Sequence, residues 1–210
     1  MFILAEFSFL FCVFCLYWTC GGRRRYLKSR IGEDAFKNVY RVSRNMFYML
    51  RRKDLELTGN AGLLEGGCVL YSFHFGIWEL MPHALQRRGF RTGVIVNRYQ
   101  HGSISFLARL TDSILRKWRT FDGVRVFYSD NVLEIVRFIK SGGIFGMLVD
   151  GNTFFQKYAK AKKLAQLCKV PLVPFAAYRC SNRGVLNIGC DLPGLVRTMP
   201  LEYMWFYRSR

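Results

Sequence analysis

Among the three histidines of this 210-residue chain, His74 stands where a proton can be moved. A short apolar run, Cys68-Val-Leu-Tyr-Ser-Phe73, reads as a buried strand and leads directly into His74-Phe75-Gly76-Ile77-Trp78-Glu79. Ligand sites of α/β sheets gather at the carboxyl ends of strands, which is the position of His74. Five steps along a continuous helix rotate by about 140°, so His74 and Glu79 would not share a helix face. They meet if His74 lies in the turn ahead of the helix and Glu79 in its first turns, and Gly76 permits that turn. Neutral imidazole accepts a proton near neutral pH. A carboxylate on the other ring nitrogen fixes the tautomer and stabilises the imidazolium that forms. Such a pair activates an alcohol, a poor nucleophile until a base takes its proton during attack, and acyl transfer to an alcohol needs that step. The chain has no G-x-S-x-G elbow, and direct attack by an acceptor hydroxyl on a thioester requires no serine nucleophile. On its own H-x-x-x-x-E is a weak motif, and a single histidine after a strand is more often a core or loop residue.

The elements that must hold these residues alternate. Strands are predicted at 68–73, 92–96, 124–128, 144–149, 172–178 and 185–188, with helices at 76–88, 103–118, 131–140 and 155–168. A further helix at 33–52 carries interleaved basic residues and reads either as a membrane-surface element or as an ordinary packed helix. The expected fold class is α/β, a mostly parallel central sheet flanked by helices, with an N-terminal membrane-anchor helix. Asp150 ends a strand on the same side as His74; it either borders the site or caps the following helix.

Composition narrows the partners. Hydrophobic residues make up 51% and aromatics 16%, which excludes a disordered chain. Against 14 acidic residues stand 32 basic ones, a net charge of +18, while mean hydropathy is +0.07. That charge suits nucleic acid or an anionic lipid surface. Residues 2–20 are apolar with Glu6 as the only charge, and at about 1.5 Å per residue they nearly match the ~30 Å hydrocarbon core of a bilayer. Arg23, Arg24, Arg25, Lys28 and Arg30 follow, so an anchor with the rest of the chain on the cytoplasmic side is expected. A cleaved signal usually has its basic residues ahead of the apolar run. The cysteines are seven, without paired metal spacing, and read as free thiols; no metal and no bound cofactor is expected.

The stretch LYSFHFGIWELMPHAL resembles the core of the lipid A biosynthesis acyltransferases, a strand followed by H-F-G-N-W-E, with Ile77 here in place of the asparagine. Val94-Ile-Val-Asn-Arg98 is similar to the family's strand ending in Arg-Pro, Arg119-Thr-Phe-Asp-Gly123 to its Arg-x-x-x-Gly, and Phe145-Gly-Met-Leu-Val-Asp150 to its strand ending in Asp. Leu164-Ala165, the segment Val170 to Arg179, and Pro200 to Arg208 continue the likeness in order along nearly the whole chain. The loop 151–158 and the segment between Cys190 and Pro200 are shorter than the family's, which bears on acceptor and chain-length specificity.

The resemblance implies residues 1–22 as anchor and 23–210 as one acyltransferase domain at the bacterial inner membrane. It implies acyl carrier protein or coenzyme A as the carrier of the acyl donor, and a glycolipid or lysophospholipid as acceptor. His74 is expected as general base and Glu79 as its orienting partner. Arg98, Arg119, Asp150 and Arg179 are expected around the substrates. Guanidinium suits both phosphate binding and oxyanion stabilisation. Arg119 also reads as a solvated surface residue and Arg179 as half of a structural ion pair. His83 and His101 are weaker candidates, expected at the surface or in the groove, and Trp78 is expected to pack. Anionic membrane lipids are the expected partner. Two rival readings are a membrane-tethered nucleic-acid-binding protein, for which no helix-turn-helix or zinc-finger spacing is present, and a family member that binds lipid without turnover.

Overall fold

The computed structural model describes residues 34–51, 53–96, 116–150, 154–181 and 183–203. The predicted anchor, Arg98, His101, most of the helix at 103–118 and residues 204–208 lie outside the described residues. Helix α1 (Ala35–Leu50) comes first. The sheet is built from β1 (Leu55–Gly59), β2 (Cys68–Ser72), β3 (Thr92–Val96), β4 (Arg125–Tyr128), β5 (Ile144–Leu148), β6 (Leu172–Cys180) and β7 (Arg183–Ile188). Helices α2 (Met81–Arg87), α3 (Val132–Lys140), α4 (Phe154–Cys168) and α5 (Leu192–Thr198) cover it. Strand order is β1-β7-β6-β2-β5-β3-β4, and every pairing is parallel except β6 with β7.

The central strands have both faces covered, and their sequences are correspondingly mostly apolar. Because side chains alternate along a strand, β2 serves two cores. Cys68 and Leu70 face one, with Tyr48 and Met49 of α1 and Ala84 and Leu85 of α2. Val69 faces the other, with Ile135, Phe138 and Ile139 of α3 and Ala161 and Ala165 of α4. The expected α/β layering with a mostly parallel sheet is therefore present. No helix among the described residues is long and apolar enough to cross a membrane.

Two elements were not expected. β1 pairs in parallel with β7 at the sheet edge, Leu55 against Gly184 through Gly59 against Ile188. Its short alternation, Leu-Glu-Leu-Thr, follows directly on a helical pattern and is easily taken for connecting loop. α5 starts at Asp191, whose carboxylate accepts the Gly194 amide, with a proline in the first turn. The helix expected at 76–88 is shorter, a 3-10 turn at Trp78–Leu80 and then α2.

Burial leaves a pH signature. The Cys68 thiol, fully buried at the start of β2, is pushed up to about 12 by desolvation. The unfolded thiol ionises near pH ~8.5, so this group favours the fold below that pH and loses its contribution as the pH rises toward its folded value. Comparing urea midpoints of the wild type and Cys68→Ala between pH 8 and 11 should show the wild type losing up to about 1.4 kcal/mol more per pH unit above pH ~9. Parallel curves would contradict the assignment.

Candidate active site

The site grows out of two neighbouring strands. β2 and β5 are parallel, with Ser72 opposite Leu148. The ladder continues one step as the Val149 amide donates to the Ser72 carbonyl at 2.9 Å. His74 and Asp150 each stand two residues beyond those paired ends, so the register brings them side by side at the carboxyl edge of the sheet. The Asp150 carboxylate then takes His74 at two points. Its Oδ2 accepts the His74 backbone amide at 2.8 Å, and its Oδ1 lies 2.7 Å from the ring Nδ1. The Asp150 side chain is only 3% exposed, whereas that of His74 is 22% exposed. One end of the imidazole is thus anchored in the protein, while the residue as a whole keeps access to solvent. From α4, the Lys157 ammonium donates to the Asp150 carbonyl at 2.9 Å.

The turn carrying His74 is fixed on both flanks. The Phe75 amide donates to the Phe73 carbonyl at 2.7 Å, closing a three-residue turn with His74 at its centre. Gly76 follows at φ +61, and the Ile77 amide donates to the Ala177 carbonyl of β6 at 2.7 Å. A Cβ built on Gly76 would stand 2.3 Å from that same carbonyl oxygen, so both conformation and space demand glycine here. Trp78 packs edge-on against the imidazole, ring centroids 5.1 Å apart, as the packing role expected of it.

Asp150, rather than Glu79, holds the ring Nδ1 of His74. The contact expected of it is made by Asp150, because the ladder register aligns the ends of β2 and β5, while Glu79 lies five residues further on in the 3-10 turn. Glu79 instead binds Arg119 through two parallel hydrogen bonds, Nε to Oε2 at 3.0 Å and Nη2 to Oε1. Arg119 is therefore not a solvated surface residue: its guanidinium plane is set by the carboxylate. Arg179 lies with its guanidinium over the Tyr48 ring of α1, 5.0 Å from the centroid. His83 is fully buried rather than at the surface or in a groove. It sits on the inner face of α2, with Nδ1 3.2 Å from Asp122 and its ring edge-on to Trp118.

The C-terminal segment reaches the same turn. Tyr203 forms an antiparallel bridge with Phe75, and the Gly76 amide donates to the Glu202 carbonyl at 2.9 Å. Burial, and after it the charge and hydrogen bonding of Asp150, push the Tyr203 phenol well above the usual tyrosine range. Glu202, Tyr203 and Lys157 were not among the expected site residues; nothing in their local spacing says that they arrive beside His74.

Among the described residues no group of three or more His, Cys, Asp or Glu side chains is arranged to hold a metal ion. No family model matches the chain, and no curated protein matches it. The geometry by itself defines an α/β domain with a buried aspartate steadying a partly exposed histidine at the carboxyl edge of its sheet.

Gly76→Ala should lower stability by more than about 2 kcal/mol, the cost of a left-handed alanine plus the clash at Ala177. Urea unfolding measures it; a change below 0.5 kcal/mol, on the order of an ordinary surface substitution, would mean that the turn is not held as described.

Proposed function

We propose that the chain is a membrane-associated O-acyltransferase of the lipid A biosynthesis type, moving a fatty acyl group from an acyl thioester to a hydroxyl of a glycolipid or lysophospholipid. The observation that carries the proposal is the two-point grip of Asp150 on His74. With a proton on Nδ1 directed at Asp150, the unprotonated Nε2 is the base. The acceptor hydroxyl gives its proton to Nε2 as its oxygen attacks the thioester carbonyl. The tetrahedral adduct collapses, the C–S bond breaks, and the leaving thiolate takes the proton from the imidazolium. The products are an ester and a free thiol, and neutral imidazole is restored. Asp150 balances the transient positive charge in a setting with little water.

In this reading Glu79 acts through Arg119. The doubly bonded carboxylate presents the guanidinium in one plane, suited to the thioester oxyanion or to a phosphate on either substrate. The order of the motifs along the chain supports the family resemblance.

The membrane part of the proposal draws on the apolar run of residues 2–20 and on α1. Phe36, Tyr40, Met46 and Leu50 of α1 are exposed. At 100° per residue they fall within about 120° of arc, with Lys37 and Arg41 alongside. An apolar stripe bordered by cations suits the interface of an anionic bilayer. A donor carried by coenzyme A or by an acidic acyl carrier protein is compatible with the +18 charge.

The test is a labelled acyl-thioester assay in anionic lipid vesicles with hydroxyl-bearing lipid acceptors, the fold of each variant being checked by circular dichroism. His74→Ala should fall to background and Asp150→Asn should lose roughly 10²–10⁴-fold in rate. Glu79→Gln keeps one hydrogen bond to Arg119 and should lose less. Full activity in His74→Ala would reject the base. An active Asp150→Asn beside an inactive Glu79→Gln would return the orienting role to Glu79.

A further inference from the structure

Glu202 is a buried carboxylate that the proposed chemistry does not use. Its two oxygens are both taken by α1: Oε1 accepts from Arg41 at 2.9 Å and Oε2 from the Asn45 amide. Two further bonds seat the same segment, since the Asn38 amide donates to the carbonyls of Leu201 at 2.8 Å and Tyr203 at 3.3 Å. The inner face of α1 is thus polar where it meets residues 201–203. The backbone of that segment turns the other way, toward the reacting group. Glu202 accepts the Gly76 amide through its carbonyl, Tyr203 bridges Phe75, and the Tyr203 ring lies 6.1 Å from that of Phe73. Residues 73, 75 and 76 are the frame in which His74 is held.

We propose that Glu202 is a positioning residue, coupling α1 to the His74 turn so that the docking of α1 sets where the imidazole sits relative to Asp150. The proposal rests on the acyl-transfer reading for its rate effects and on geometry alone for the coupling. Three contacts from one residue make the arrangement directional: the side chain reads α1 and the carbonyl fixes Gly76. A carboxylate buried among donors is costly to leave unpaired, so the segment has a strong preference for its seat on α1.

The experiment combines Asn45→Ala, Glu202→Gln and the double variant, assayed well below their unfolding temperatures. Misplacement of a base by an ångström can cost about a hundred-fold, so kcat should fall roughly ten- to a hundred-fold with KM little changed. If α1 acts through Glu202, the double variant should be no worse than the more affected single variant.

A second readout is independent of turnover. Diethyl pyrocarbonate modification of His74, followed by peptide mass spectrometry across pH, reports how the imidazole is held. Asp150, Lys157 and Tyr203 face this turn, with Glu79 in the 3-10 turn that follows and Arg119 bound to it. None of them is altered in these variants, so a changed modification profile reads the placement of His74. The modification rate should change several-fold in both single variants and to the same extent in the double.

Unchanged kcat and an unchanged His74 modification profile in Asn45→Ala and Glu202→Gln would overturn the proposal, as would fully additive losses in the double variant. A wild type that transfers no acyl group while the His74 profile still responds would sink the acyl-transfer reading and leave the coupling standing. If Glu202→Gln does not fold, Asn45→Ala and Asn38→Ala carry the same test, since each removes one anchor of the segment.

Discussion

One carboxylate organises this protein. Asp150 is nearly sealed from water, and a buried charge is tolerated only where donors surround it. Here the donors are the backbone amide and ring of His74, with the Tyr203 phenol beside them. Satisfying Asp150 therefore requires that the chain after β2 turn at one residue and no other. That demand explains the three-residue turn around His74, the glycine at position 76, and the arrival of the C-terminal segment at the same edge. Losing the two His74 contacts would leave a buried charge short of partners, at a cost of several kcal/mol by the usual measure of such losses.

The alternation of apolar runs with helical spacing made the α/β layering legible, and the end of β2 marked His74. Which carboxylate meets it was not legible. The spacing of His74 and Glu79 is a local quantity, but the neighbour of β2 is β5, some 75 residues away, and strand order is decided by the packing of both faces together. Once β2 and β5 are adjacent and in register, Asp150 follows by counting two residues past each strand end. His83 shows the reverse case. Its position on α2 offered no sign that Asp122, 39 residues further on and in a left-handed conformation, would supply a partner for its ring.

Helix α1 shows why periodicity gives an element without its orientation. Its spacing announces a helix, and leaves open whether it packs on the domain or lies on a membrane surface. The structure buries Asn38, Ser43 and Asn45 together with Val42, Tyr48 and Met49, and exposes Phe36, Tyr40, Met46 and Leu50. The Asn38 and Asn45 amide nitrogens donate to the C-terminal segment, to the Leu201 carbonyl and the Glu202 carboxylate, and Ser43 donates to the Val39 carbonyl of its own helix. The outer apolar side is what a helix lying on a lipid surface would present. In the proposed function the same helix would then touch the bilayer on one side and the frame of the reacting histidine on the other.

The account depends on the proton that His74 carries at rest. Long-range 1H–15N NMR of the chain labelled at histidine nitrogen reads the tautomer of each imidazole directly, with Asp150→Asn assigning the His74 signal. The arrangement predicts that neutral His74 is protonated on Nδ1, with a downfield proton that is lost in Asp150→Asn, and unprotonated on Nε2. A His74 that is protonated on Nε2 when neutral, or a Nδ1 signal indifferent to Asp150, would contradict it.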